Sequence, residues 1–432
     1  MKTSTHAVGR SSAISSVVHS TGFGEAALAS SALQGKRVAM IMFSSYPSDP
    51  RPRRAADALL KEGASIDLIC LRDEMSARRE VLNGINVCRL DIRHRRGGKI
   101  GYAYQYSAFI LASAALLAIR SLRRRYDLVY VHNMPDVLVS SALIPKALGA
   151  KVILDQHDPM PELMTTIFGL EENSIYVRLI KRLEKWSLAR VHLVLTVNRA
   201  CQQIFARRSC PLEKIGVVMN APDGEIFSLR SPSSYLSSPR RDKAFVIMYH
   251  GSLVERNGLD LAIKALVRVR QAIPEVELRI YGKRTPYLER VLQEAENLGL
   301  RGAVCYLGPK RLEDLAAEIE GCDVGIVPNR RNAFTDINTP TRIFEYLALG
   351  KPVVAPNTPG IQDYFPPGSL FFFEPGNADG LAERIEYVAS HPSETTEITE
   401  RGQQIYLAHT WRRERQTLVT LVSGLFNEKR VA

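Results

Sequence analysis

The sequence predicts two α/β domains, each built on a doubly wound parallel sheet in the Rossmann manner. Three observations carry this prediction. The chain has 432 residues, beyond the size at which a single hydrophobic core keeps growing, so two cores are expected. Short β-branched runs, too brief for helices, alternate with segments of helical periodicity. Residues 228–243 interrupt that alternation with a polar, Ser- and Pro-rich, aperiodic stretch of linker composition. The expected division is a flexible tail over 1–34, a first domain over 35–227, the linker, a second domain over 244–408 and a last helix over 409–428.

Composition narrows the class. The six cysteines have no metal-type spacing and sit mostly in apolar surroundings, which predicts reduced core thiols in a cytoplasmic protein and no zinc site. The Ser/Ala-rich tail lacks the apolar core of a secretory signal. The net charge of +12 is uneven: residues 36–130 hold 18 Lys/Arg against 9 Asp/Glu, a net +9, which leaves +3 for the rest. That asymmetry points either to an anionic partner for the first domain, nucleic acid or a membrane surface, or to a solvated basic face.

In the first domain, residues 36–43 form an apolar strand and 44–50 a turn-rich loop. Arg51, Arg53 and Arg54 open the next helix, which stops at Gly63. Strand, loop and helix N-terminus together make an anion site on the Rossmann plan, and the three arginines stand at its mouth. The glycine-rich dinucleotide fingerprint is absent, which sets NAD aside. A second strand covers 66–71. Residues 107–119 are apolar or small throughout, with Tyr102, Tyr104 and Tyr106 before them and Arg120, Arg123, Arg124 and Arg125 after. A 13-residue helix reaches only about 20 Å, short of a hydrocarbon core of roughly 30 Å, so a spanning helix is not expected. A core helix, a helix resting at a membrane interface, or both at once remain. Strands over 128–132 and 151–154 end in polar clusters that contain His132, His157 and Asp158, where α/β folds place chemistry. For His157 the plainer alternative is that it caps the strand or bonds a neighbouring carbonyl. A last strand covers 189–196, a helix runs to Arg207, and 215–219 leads to the crossing.

In the second domain a strand over 245–249 leads into His250-Gly251-Ser252 and on to Arg256-Asn257-Gly258, before a helix over 259–271. Gly251 permits close backbone approach, Ser252 offers N–H and hydroxyl groups, and Arg256 offers a forked cation, a set that suits a diphosphate. Strands over 277–280 and 304–307 end at Gly282 and at Pro309-Lys310. A strand over 324–327 precedes Asn338-Thr339-Pro340-Thr341-Arg342, whose hydroxyls suit a helix cap. Ile343, Phe344, Leu347 and Ala348 then keep helical spacing until Gly350. Glu345, one turn in, faces the same cleft as Arg342. Strands over 353–355 and 371–373, a helix over 378–389 and an amphipathic helix over 410–426 complete the chain.

The segment from Asn338 to Tyr346 resembles the donor-site signature of the retaining glycosyltransferases of family 4, whose two-Rossmann-domain architecture is called GT-B. In that family the helix carries two glutamates seven residues apart; Glu345 matches the second and Ile337 stands at the first. Pro340 to Tyr346 is closer to the Pro-x-Lys/Arg-Ile-Phe-Glu-Tyr version of a bacterial polysaccharide-type subgroup, and His157 to Glu162 is similar to that subgroup's His-Asp-x-x-Pro-Glu string. The family's usual arginine after the glycine is Ser252 here and its usual lysine before the last glycine is Asn257, with Arg256 offered in place of both. The resemblance covers about 36–428. It implies a first, acceptor-side domain facing a second, donor-side domain, and a terminal helix crossing back.

The resemblance also implies roles. His157, Arg256 and Glu345 are the expected catalytic set. Gly251, Ser252, Asn257, Gly282, Pro309, Lys310, Asn338, Thr339, Pro340, Thr341 and Arg342 hold the donor, and Arg51, Arg53, Arg54, His132 and Asp158 face acceptor or phosphate. No Asp-x-Asp triplet occurs, so no metal and no cofactor are expected beyond the nucleotide-sugar co-substrate. The expected activity is retaining, metal-independent transfer of a sugar from a nucleoside diphosphate to a saccharide or lipid-linked acceptor. The expected location is cytoplasmic, with reversible contact at the inner face of the membrane. The alternatives are a nucleotide-sugar 2-epimerase of the same fold and a catalytically inert sugar-nucleotide scaffold. Nucleic-acid binding has no aromatic platform or known module behind it.

Overall fold

The computed structural model describes residues 32–73, 75–92, 99–232 and 244–427; the expected tail up to residue 31 and most of the linker lie outside the described residues. Leu33, assigned by sequence to the tail, is buried in the first core, because residues 32–35 turn back against Glu62 and Gly63.

The first domain has strands β1 (Arg37–Ser45), β2 (Ser65–Leu71), β3 (Arg79–Leu82), β4 (Ile85–Leu90), β5 (Leu128–His132), β6 (Lys151–Gln156), β7 (Leu193–Thr196) and β8 (Ile215–Val217). They form one sheet in the order β3-β4-β2-β1-β5-β6-β7-β8, parallel except for the β3–β4 hairpin at its edge. That hairpin was not anticipated, since Arg79–Leu82 is short and half polar and has no apolar run to announce it. The second domain has β9 (Phe245–His250), β10 (Val276–Tyr281), β11 (Val304–Gly308), β12 (Val324–Ile326), β13 (Val353–Pro356) and β14 (Phe371–Phe373), in the order β11-β10-β9-β12-β13-β14. Both orders reverse beside the first strand of their domain, between β1 and β5 and between β9 and β12. Ligands bind at such switch points, beyond the strands' carboxyl ends.

Central strands read as continuous apolar runs because helices cover both faces: Val38 to Met42 of β1 and Val353 to Ala355 of β13 are all buried. The first-domain helices are α1 (Pro50–Lys61), α2 (Lys99–Arg123), α3 (Leu143–Ala147), α4 (Met160–Phe168), α5 (Ile175–Ala189) and α6 (Arg199–Arg208). Those of the second are α7 (Leu259–Ala272), α8 (Pro286–Asn297), α9 (Leu312–Glu320), α10 (Thr341–Ala348), α11 (Pro359–Gln362), α12 (Ala378–Ser390) and α13 (Pro392–Ala408), followed by α14 (Trp411–Asn427). Glycines end helices where expected: Gly63 after α1 and Gly350 after α10 take positive φ.

Two expectations change. The apolar run at 107–119 is only the middle of α2, which continues into polar sequence at both ends for 25 residues. Its Tyr104–Arg123 stretch is long and apolar enough to cross a membrane by length and composition, so the argument from a 13-residue helix fails. The strand expected over 189–196 begins only at Leu193, because Ala189 still belongs to α5.

The terminal helix returns to the first domain. Leu418 and Val422 are buried in the first core, and full burial of such side chains contributes about 1.5–3 kcal/mol each. The Glu414 carboxylate accepts from the Met219 N–H at 2.8 Å, and Arg415 pairs with Glu62 at 2.7 Å.

Candidate active site

A cavity of about 820 Å³ lies between the domains, against the carboxyl ends of β9 and β12 on one side and of β6 on the other. Its second-domain wall is the loop after β9 and the start of α10. The residue before α10 is Pro340, and no side chain caps the helix. Thr339 does not cap it as expected: its hydroxyl donates to the Gly360 carbonyl at 2.7 Å and accepts from the Asn198 side chain at 3.2 Å, a bond from the other domain. The Ile343 N–H donates to the Pro340 carbonyl, but the N–H groups of Thr341 and Arg342, both on the cavity wall, have no side-chain cap and no acidic residue in their turn, an anion site by geometry and dipole.

Arg342 strengthens that site. Its guanidinium lies 4.8 Å from the Tyr249 ring centroid, and its Nη1 is buried with no hydrogen-bond partner among the described residues. A buried, unpaired guanidinium nitrogen on a ligand-sized cavity fits a bound anion, since buried donors are otherwise satisfied. Gly251 takes a φ of +125°, a conformation that side chains rarely adopt, while a Cβ on Gly282 would lie 2.3 Å from the Gly251 carbonyl oxygen. Glycine is thus favoured by backbone conformation at the first strand end and by space at the second.

Glu345 follows on the same face. His250 Nε2 lies 3.3 Å from Glu345 Oε2 without the alignment of a hydrogen bond. Burial pushes the Glu345 carboxyl up to about 7, against the pull of Arg342 and Arg54. Burial, reinforced by Arg342, takes the His250 imidazole down to about 3, so it is neutral at physiological pH. His250 was quoted by sequence but given no role; its place at the end of β9 was the available signal.

The first-domain wall carries His157 and Asp158. His157 Nε2 lies 3.0 Å from His132 Nδ1, and both rings stand within 3.7 Å of Asp155 Oδ2. The plain alternative for His157, a bond to a neighbouring carbonyl, is thus replaced by a bond to His132. Burial would raise the Asp155 carboxyl, but Arg51 and the two histidines hold it well below the usual range. His132, Asp155 and His157 have the spacing of metal ligands, and the atoms that face one another are bonded: Asp155 accepts from Arg51 and the Tyr130 hydroxyl, and His132 Nδ1 pairs with His157 Nε2, while His132 Nε2 is left without a partner among the described residues. Asp158 lines the cavity opposite Arg256; burial raises its carboxyl, and the attraction of His157 and Arg256 opposes that rise.

Several expected residues stand elsewhere. Arg51 is buried, with Nη2 on Asp155 at 2.6 Å and Nη1 on the Val218 carbonyl at 2.8 Å, so it supports the histidines from below and does not reach the cleft. Arg54 donates to the Ala221 carbonyl and lies over Trp411 of α14. Arg53 does not line the cavity, and His132 sits behind His157. For Arg51 and Arg54 the cause is shared: Asp49 caps α1, and the helix turns these two toward β6, the crossing segment and α14. The Asn257 amide donates to the Ser252 carbonyl at 2.8 Å, bracing the loop. Gly251, Ser252, Arg256, Gly282, Pro309, Lys310, Asn338, Pro340 and Thr341 all line the cavity. Lys310 is paired with Glu318 at 3.0 Å.

The chain is similar to known glycosyltransferases in sequence and in fold. The family "Glycosyl transferases group 1" matches residues 236–405, and the "Glycosyl transferase 4-like domain" matches 48–221. The chain is 22% identical over 258 residues to a probable glycosyltransferase, WbjE, of Pseudomonas aeruginosa, covering 59% of this chain and 62% of that one. It is 28% identical over 183 residues to a GDP-mannose-dependent phosphatidylinositol monomannoside mannosyltransferase of Mycolicibacterium smegmatis, covering 41% and 48%. The matches thus span less than two thirds of either curated relative. Among solved structures, sucrose-phosphate synthase of Thermosynechococcus elongatus superposes with a TM-score of 0.72 at 17% identity, covering 91% of this chain and 100% of that one. The Anabaena protein HepE in complex with UDP does so at 0.65 and 18%, covering 90% and 100%.

Proposed function

The chain belongs to the glycosyltransferases of GT-B fold and family 4 type, and we propose that it moves a sugar from a nucleoside diphosphate donor to a saccharide acceptor in the interdomain cleft. The observation that carries this reading is the uncapped start of α10 with the unpaired Arg342 Nη1 beside it and Glu345 one turn on. The diphosphate lies on the α10 N-terminus between Arg342 and Arg256, Glu345 takes the ribose hydroxyls, and His157, oriented by His132 and Asp155, meets the sugar. Fixed cations and helix N–H groups stabilise the leaving diphosphate where charge develops, so transfer proceeds without a divalent ion. Among the described residues only two carboxylates, Asp158 and Glu345, line the cavity, and Glu345 belongs to the nucleotide end. That leaves one carboxylate, Asp158, on the sugar side and no nucleophile and acid pair of the glycosidase kind, and attack from the leaving-group side with retention needs no such pair. Neither the epimerase nor the inert-scaffold alternative is favoured by the relatives.

The test is a panel of nucleoside diphosphate sugars with saccharide acceptors in EDTA, the product anomer being read by NMR. Transfer with the donor's configuration kept is expected. A strict Mg²⁺ or Mn²⁺ requirement removes the metal-independent step, and epimerised donor without an acceptor removes the transfer itself.

A further inference from the structure

Helix α2 turns Phe109, Ser113, Leu117 and Ser121 inward. Its opposite ridge, at spacings of seven, eight and three residues that keep one helical face, presents Tyr104, Leu111, Ile119 and Leu122 to solvent, with Leu111 70% and Leu122 73% exposed. Helix α5 repeats the pattern: Val177, Ser187 and Leu188 are inward, and Ile175, Tyr176, Leu179 and Leu183 are outward. Both helices pack against the 3-10 segment Asp136–Ala142, so their outer ridges share one face of the first domain. Leu143 and Ile144 of α3, which packs on α2, are exposed there too. Among the described residues, 12 of 18 exposed large apolar side chains fall within 104–183. Such concentration marks an interaction surface, since scattered single exposures are the ordinary case.

The charge of this face selects its occupant. Arg120 and Arg123 on α2 and Arg178, Lys181, Arg182 and Lys185 on α5 accompany the ridges, with Arg124 and Arg125 just beyond α2. The two helices hold one acid between them, Glu184, which is buried and bonded to Arg208. Arg182, Ser140 and Trp186 also line a recess of about 350 Å³ on the face. A second copy of the chain would bring like charges together, whereas anionic headgroups match them while the apolar ridges enter the acyl boundary. Crossing the bilayer is a different matter: it would strip Phe109 and Leu117 from the core, where both are fully buried.

We propose that α2 and α5 form a docking face that lays the first domain on the interfacial layer of an anionic membrane. Salt weakens the encounter, and the apolar ridges supply a contribution that charge alone does not.

The experiment is vesicle sedimentation of the full chain with phosphatidylcholine alone and with added phosphatidylglycerol. It compares wild type with Leu111→Ser/Leu122→Ser/Leu179→Ser, which leaves every charge in place, and with Arg178→Glu/Arg182→Glu. Circular dichroism and Tm verify that the exposed substitutions leave the fold intact. Expected are binding to anionic vesicles only, and affinity at least about tenfold weaker in both variants. No binding to anionic vesicles, or undiminished binding by the serine variant, overturns the proposal. So does a concentration-dependent dimer that the serine substitutions dissolve while vesicle binding persists.

Discussion

Arg51 grips Asp155 at 2.6 Å below the cleft, both side chains nearly excluded from solvent. The pair fixes the carboxylate against which His132 and His157 are arranged, so a residue at the mouth of α1 acts on the cleft through two others. Arg51→Met is expected to destabilise the fold by about 3–5 kcal/mol, the cost of a buried carboxylate left unpaired. Arg51→Met/Asp155→Asn is expected to recover at least about half of that loss, since the orphaned charge is gone. Urea unfolding of the two variants checks this; a double variant no better than the single one contradicts it.

Glu345 predicts a pH signature. Its folded carboxyl titrates near 7 because of burial, above the ordinary value of 4.5. The folded chain therefore keeps a proton that the unfolded chain releases, and the associated stability is fully present below about pH 4.5 and lost as pH rises to about 7. In Glu345→Gln this loss is absent, so the stability of the variant relative to wild type should rise by about 3 kcal/mol between pH 4.5 and 8. Parallel stability curves across that range would show that Glu345 is not the titrating group. Transfer by Glu345→Ala should still fall with the fold intact, because the ribose ligand is lost.

Arg256 faces Asp158 across the cleft and lies 5.7 Å from the Phe334 ring centroid. Arg256→Ala is expected to lower turnover by roughly 10²-fold or more with unchanged Tm, as for a group that acts on developing charge. Normal turnover in this variant removes Arg256 from the diphosphate site.

Much of the fold was legible because parallel strands covered on both faces must be apolar throughout, and Val38 to Met42 and Val353 to Ala355 are. The donor side was legible for a related reason: Gly251, Pro340, Arg342 and Glu345 are contiguous with the elements that position them, so chain order gives spatial order. The first-domain wall was not. Whether Arg51 or Arg54 reaches the cleft depends on Asp155, Ala221 and Trp411, which lie over 100 residues away and leave no local trace. The β3–β4 hairpin escaped because an edge strand with one solvated face carries no continuous apolar run. Helix α2 was cut short because only its apolar centre was counted, while its polar ends are equally helical.

Titration of UDP, GDP and ADP into wild type and Arg342→Ala by calorimetry tests the central claim most directly. Wild type should bind one nucleoside diphosphate in the micromolar range, and Arg342→Ala, with unchanged Tm, should bind it at least about tenfold more weakly, as expected for a charge-assisted contact of 1.5–3 kcal/mol. Absence of binding to all three at millimolar concentration, or equal affinity in the variant, would contradict a donor site at the start of α10.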